Sequence, residues 1–255
     1  MARKRKRGSR RPHHGYFGTV LKVLSSVVAL GAVAVAAVVF FRVEYIEVTG
    51  NDRYSQEEIA SASAIALDDN LFLLDKPTIE RNVLEQMPYI EAVNVERALP
   101  STVVIHVEEI TTTVMLAQTD ATWRISLGGK LVERIDNAMP EMPYVAGVQL
   151  LAPTVGTLMT LGEDAQDIAL RDSLLTLLGA LESLGMLDQL EYIDMSDESY
   201  LVIEYGGRFT VRFAYEDDYV YKLRSLQVVV EQLETNEMGT IDLTMDGKAH
   251  FIPSA

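Results

Sequence analysis

Four histidines are the first residues to test for acid–base or metal chemistry in this sequence, and none has the company such chemistry needs. His13 and His14 adjoin each other in a basic stretch, His106 falls within an alternating apolar segment, and His250 stands near the end of the chain. No H-E-x-x-H spacing puts two imidazoles on one helical face, and the lack of cysteine removes thiolate ligands, cysteine nucleophiles and disulfides together. There is no G-x-S-x-G elbow and no S-x-x-K motif. The Gly128-Gly129 and Gly206-Gly207 pairs lack the following helix and the lysine–hydroxyl pair of a phosphate cradle. Glu57 and Glu58 fall in the first turn of a predicted helix, where the dipole attracts acids. Glu108 and Glu109 alternate to opposite faces of a predicted strand and cannot share a site as neighbours. His106 points away from the face shared by Val103, Ile105 and Val107, which predicts a solvated side chain. The expectation is a protein that is not an enzyme, with no cofactor, no metal and no small-molecule substrate, whose chemistry is binding.

Binding can be done by backbone alone. The last predicted strands, 240–244 and 248–252, close the chain, which suits a sheet edge. An open edge offers unpaired N–H and C=O groups to an incoming strand. The elements that must position this edge come from the rest of the pattern.

The 255 residues carry a net charge of -15, unevenly spread. Residues 1–22 hold eight basic residues and no acidic one, while the other 233 hold 14 basic against 37 acidic. Such asymmetry predicts different surroundings for the two parts. Between them, residues 23–41 read VLSSVVALGAVAVAAVVFF, 19 residues without a charge. As a helix this run is ~28 Å long, close to the ~30 Å hydrocarbon thickness of a bilayer. A cleaved signal peptide has a shorter apolar core with small residues after it, whereas Phe40, Phe41, Arg42 and Val43 follow here. The expectation is an uncleaved single-pass membrane helix with a cytoplasmic basic tail, 1–22, and everything after residue 42 outside the cytoplasm. Without interleaved aromatics the basic tail predicts no nucleic-acid binding; it is a topology signal that also lies on anionic lipid.

After the span, VEYIEVTGN alternates as a strand and ends in a turn. Ser55 and Glu58 have capping-box spacing, and Pro77 opens a second helix with the stripe Ile79, Val83, Leu84 and Met87. Two strands follow, bent at 98–101, with Val103, Ile105 and Val107 on one face. This strand–helix–helix–strand–strand order predicts one core over 43–110, with both helices on one side of a three-stranded sheet. From 111 to 255 strands and tight turns dominate. The pairs Gly128-Gly129, Gly206-Gly207 and Asp246-Gly247 read as two-residue hairpin turns. Leucine stripes from Leu170 to Leu184 and from Tyr219 to Leu233 predict two helices packed on this sheet, Gly185 ending the first. The fold class expected is α+β: a transmembrane helix, a βααββ module and a mixed β-sheet domain with two packed helices.

The runs VEYIEVTGN, NLF and MPYIEAVNVERALPSTVV resemble the POTRA domain of the bacterial division proteins FtsQ and DivIB. Ala92 and Val93 stand one place off that family's spacing. The segments MPYVAGVQL, LLTLLGALESLGMLDQLEYIDMSDESYLVIEYGGRFTVRF and GTIDLTMDGKAHFIP resemble its β domain. One departure falls at the junction, where Glu109 leads into Ile110, Thr111 and Thr112 without the family's Arg-x-Pro. The resemblance implies a scaffold at the division septum that binds FtsL-like and FtsB/DivIC-like single-pass proteins. It also implies an influence on septal peptidoglycan synthesis, with the synthase as a further partner. It places partner binding on Ile241, Leu243, Met245, Ala249 and Phe251, although Phe251 equally suits closure of the core. A POTRA-bearing polypeptide-translocation or envelope-assembly component is the alternative.

Overall fold

Apolar residues at helical and at strand spacing sort into two separate cores in the computed structural model, which describes residues 16–136, 143–245 and 247–254. Residues 1–15 of the predicted basic tail therefore lie outside the described residues, as do the side chains of 16, 17, 34 and 37–39 and the Met142 end of the MPYVAGVQL segment. Helix α1, Tyr16–Phe40, runs 25 residues, or ~37 Å. Its described apolar side chains are exposed around the whole circumference. No described helix segment is long and apolar enough to cross a membrane.

The first core lies between β1 (Tyr45–Thr49), α2 (Gln56–Ala62), α3 (Lys76–Gln86), β2 (Ile90–Ala98) and β3 (Thr102–Glu109). The sheet order is β1-β3-β2, with β1 parallel and β2 antiparallel to β3. The expected capping box is formed: the Ser55 amide donates to the Glu58 carboxylate at 2.8 Å, and Ser55 Oγ accepts from the Glu58 amide. Alternation in β3 buries Val103, Ile105 and Val107, against which Ile59 of α2 and Val83 of α3 pack. Glu109 has a structural task. Its carboxylate accepts from the amides of Asp52, Arg53 and Tyr54 at 3.1, 2.7 and 3.1 Å, closing the turn after β1.

The second core is built on β4 (Thr113–Ala117), β5 (Ala121–Ser126), β6 (Leu131–Asp136), β7 (Tyr144–Ala146), α4 (Ala165–Ser183), β8 (Leu190–Asp194), β9 (Tyr200–Tyr205), β10 (Phe209–Ala214), α5 (Tyr219–Gln232), β11 (Gly239–Asp242) and β12 (His250–Pro253). These strands form one nine-stranded sheet, ordered β12-β11-β10-β9-β8-β7-β4-β5-β6. Parallel neighbours cannot be joined by a tight turn. The parallel pairs β7/β8 and β10/β11 are accordingly connected through α4 and α5. Leu174, Leu177, Leu178 and Leu181 of α4 and Tyr219, Leu223 and Leu226 of α5 are buried in the same core as the sheet's inward side chains, as the leucine stripes predict.

Turn chemistry departs from expectation at three places. Gly129 has φ +85°, but Gly128 is not left-handed, so this is not a type I′ pair. Tyr205 pairs directly with Phe209, which leaves three residues, Gly206 to Arg208, in the turn, both glycines at positive φ. The last two strands end at Asp242 and resume at His250, so residues 243–249 connect them in place of a two-residue turn. Asp246 itself lies outside the described residues.

The two cores are joined by Lys130, from the turn between β5 and β6. Its buried ammonium donates to the carbonyls of Leu84 at 3.1 Å and Ile90 at 2.5 Å, both in the first module. Burial pushes its pKa down, and nearby Glu91 opposes that shift. Tyr89 adds a bond to the Glu133 carboxylate at 3.0 Å. Replacing Lys130 by Met leaves two carbonyls unpaired and should cost about 1–3 kcal/mol in urea unfolding followed by Trp123 fluorescence. A midpoint equal to the parent's would show that this link carries no stability.

Candidate partner-binding edge

The sheet ends in a short strand because of what lies behind it. β11 runs parallel to β10 from Phe209↔Gly239 to Arg212↔Asp242, and alternation sends Ile241, and Leu243 beyond it, into the core beneath α5. β12 pairs antiparallel with β11, from Gly239↔Pro253 to Asp242↔His250, and has no strand on its other side among the described residues. Four residues and a terminal Pro253 keep this edge short, which limits indiscriminate pairing.

Gly239 permits the pairing. A Cβ there would overlap the Ile252 carbonyl and press on the Phe251 ring. Phe251 packs half-buried over the core, edge-on to Phe209 with ring centres 6.3 Å apart. The chain leaving β11 is held by Lys222 of α5, a residue only 2% exposed. Its ammonium donates to the carbonyls of Leu243 at 2.7 Å and Met245 at 2.9 Å, and lies 3.3 Å from the Asp217 carboxylate. A buried cation is tolerated only with such complete pairing. Asp242 caps the strand end by accepting from the Thr244 amide at 2.9 Å and hydroxyl at 2.7 Å. Partial burial pushes the Asp242 carboxyl up, but these bonds, with Arg212 and His250 nearby, outweigh it and hold its pKa below the usual range.

The five residues singled out in sequence thus divide. Ile241 and Leu243 are sealed in the core, Phe251 is half-buried, and Met245 and Ala249 are exposed. Met245 and Ala249 line a groove of about 260 Å³ whose other wall is Tyr221, Ser225, Val228 and Val229 of α5. The arrangement can do two things for a ligand: extend the sheet through the free side of β12, and accept apolar side chains in the groove. Sequence reasoning missed Lys222, Asp217 and Gly239. A lysine inside the buried Tyr219–Leu223–Leu226 stripe was the available signal.

A βααββ module followed by an open mixed sheet with an accessible terminal strand defines the class by fold: a POTRA-bearing protein with a second, sheet-based domain. Residues 41–109 match the model of the POTRA domain, FtsQ-type. Over most of its length the chain is similar to the cell division protein FtsQ of Syntrophotalea carbinolica, 29% identical over 80% of this chain and 70% of the relative. It is similar also to FtsQ of Corynebacterium glutamicum, 25% identical over 72% of this chain and 77% of the relative. The cell division protein DivIB of Clostridium acetobutylicum is 23% identical over 82% of this chain and 81% of the relative. Residues 41–109 thus carry a POTRA domain of the FtsQ type, and the chain as a whole is similar to FtsQ and DivIB cell division proteins over most of its length.

Substituting Gly239 by Ala should unseat β12 while the core stays closed. Amides 250–253 should then exchange with solvent faster by about 10-fold or more, whereas those of β9 and β10 keep their protection. Unchanged exchange at 250–253 would show that the edge tolerates the extra methyl group.

Proposed function

We propose that this chain is a non-enzymatic, single-pass membrane scaffold of the bacterial division septum. It receives FtsL-like and FtsB/DivIC-like single-pass proteins at β12 and so bears on septal peptidoglycan synthesis. The observation that carries this reading is the terminal position of β12, which pairs with β11 on one side and has no strand on the other among the described residues, beside the apolar groove along α5. Similarity to cell division proteins over most of the chain supports the setting. In this reading Phe251, Met245 and Ala249 meet the partner, and Ile241 and Leu243 act as positioning residues that hold the edge from behind. The open order of the nine strands, with two distinct ends, favours a receptor edge over a translocation barrel.

The membrane span, residues 23–41, which α1 covers as far as Phe40, rests on the uncharged run and on the exposure of the described apolar side chains of that helix, a surface that water solvates poorly. Anchoring places scaffold and partners in one bilayer, so that effective concentration supplements modest contact energies.

Two measurements test the reading. Val33→Asp should cost about 2.5–3.5 kcal/mol of insertion and release the chain from membranes on alkaline extraction; full retention would count against the span. Ile252→Cys gives the chain its only thiol, since the sequence has no cysteine. Carrying a photocrosslinker there, it should capture both single-pass partners in membranes of dividing cells, and Asp136→Cys on the opposite edge strand should not. Equal capture from both edges would end the assignment of β12.

A further inference from the structure

The exposed large apolar side chains of the first module are not scattered. Within residues 42–110 they are Tyr45, Leu67, Phe72, Leu73 and Leu99, and the backbone gathers all five at the end where α1 enters. Leu71 donates its amide to the Phe41 carbonyl at 3.0 Å, Arg42 bridges to Asn70, and Val43 exchanges amide and carbonyl with Asp69 and Asp68 at 2.9 Å. The 66–73 loop therefore runs alongside the first residues after the helix. Phe72 meets Phe41 edge-on at 5.1 Å, and Phe41 meets Phe40, the last residue of α1, at 5.4 Å. On the other flank Ser101 accepts from the amides of Glu44 and Tyr45, at 2.8 and 3.3 Å, bringing the hairpin tip with Leu99 to the same level.

We propose that this pole, through Leu67, Phe72, Leu73 and Leu99, inserts into the lipid surface from which α1 emerges. The module then has a second attachment beside its covalent one. The proposal rests on the reading of α1 as a membrane span and adds to it a partner for the folded module. The exposures decide against a merely incomplete core: Leu73 is 75% exposed, Leu67 64%, Leu99 59% and Phe72 49%, while Leu71 between them is fully buried. A loop that only needed to close the core would bury Leu71 and turn polar residues outward. Lipid is the occupant favoured because ring contacts continue from Phe40, the last residue of α1, through Phe41 to Phe72. Charge does not select an anionic headgroup, since Glu44, Asp68, Asp69 and Asp75 surround the pole together with Arg42, Lys76 and Arg97, and Arg42 is 3.8 Å from Asp68. Attachment is thus by apolar side chains at the headgroup–acyl boundary.

Full-length chains carrying Leu73→Trp, and separately Leu30→Trp, are reconstituted into phosphatidylcholine vesicles whose acyl chains are brominated either near the carbonyl end or near the methyl end. The native Trp123 is buried in the other core and serves as the unquenched internal reference. Leu73→Trp should lose emission to lipid brominated near the carbonyl end and keep it with deep bromines. Leu30→Trp should be quenched most strongly by deep bromines if α1 spans. Emission from Leu73→Trp that no brominated lipid reduces overturns the proposal, and leaves the pole to a protein partner if Leu30→Trp is quenched. Failure of Leu30→Trp to quench overturns the span instead, and the signal from Leu73→Trp then decides whether the pole meets lipid by itself.

Discussion

The buried Lys222 ammonium is the constraint on which the outer end of this protein depends. It sits in the apolar stripe of α5, where a charge has no water to turn to, and must be satisfied by the Leu243 and Met245 carbonyls and the Asp217 carboxylate. Meeting that demand ties the chain just past β11 to α5, while the Leu243 amide still donates to the Arg212 carbonyl of β10 at 3.0 Å. Together with the Asp242–Thr244 turn it forces residues 243–249 out into a loop before β12 can return. The groove beside α5 and the short edge both adjoin this anchored segment.

Local patterns made much of the fold legible. The Ser55–Glu58 spacing, the alternation of Val103, Ile105 and Val107, and the leucines of α4 each specify their own surroundings, so one sequence is enough to read them. Strand order is different in kind. Nothing in the residues of β7 announces that three of them join β4 to β8 and so complete a single nine-stranded sheet. Turn geometry was equally hidden: a glycine pair permits positive φ at two positions but does not require it, and Gly128 declines it.

The surroundings of the five candidate edge residues were legible only in part for a related reason. Alternation shows that Ile241 and Leu243 share a face, but which face becomes core is decided by α5, which reaches this place through the crossover that parallel β10 and β11 require. Lysines in turns are ordinarily solvated, so Lys130 carried no mark of its place between the two cores. Glu109 likewise reads as a surface acid until the folded chain brings three amides to its carboxylate.

The breadth of the sheet sets a distance. The strand that abuts the first module is β6 and the free strand is β12, eight inter-strand steps away, or about 38 Å across at ~4.8 Å per step. A chain starting beside the first module must cross that width before it can pair with β12. This takes on the order of a dozen residues if extended or about 25 as a helix. Tether length alone can therefore separate proteins that reach the edge from proteins that fall short, before any side chain is compared.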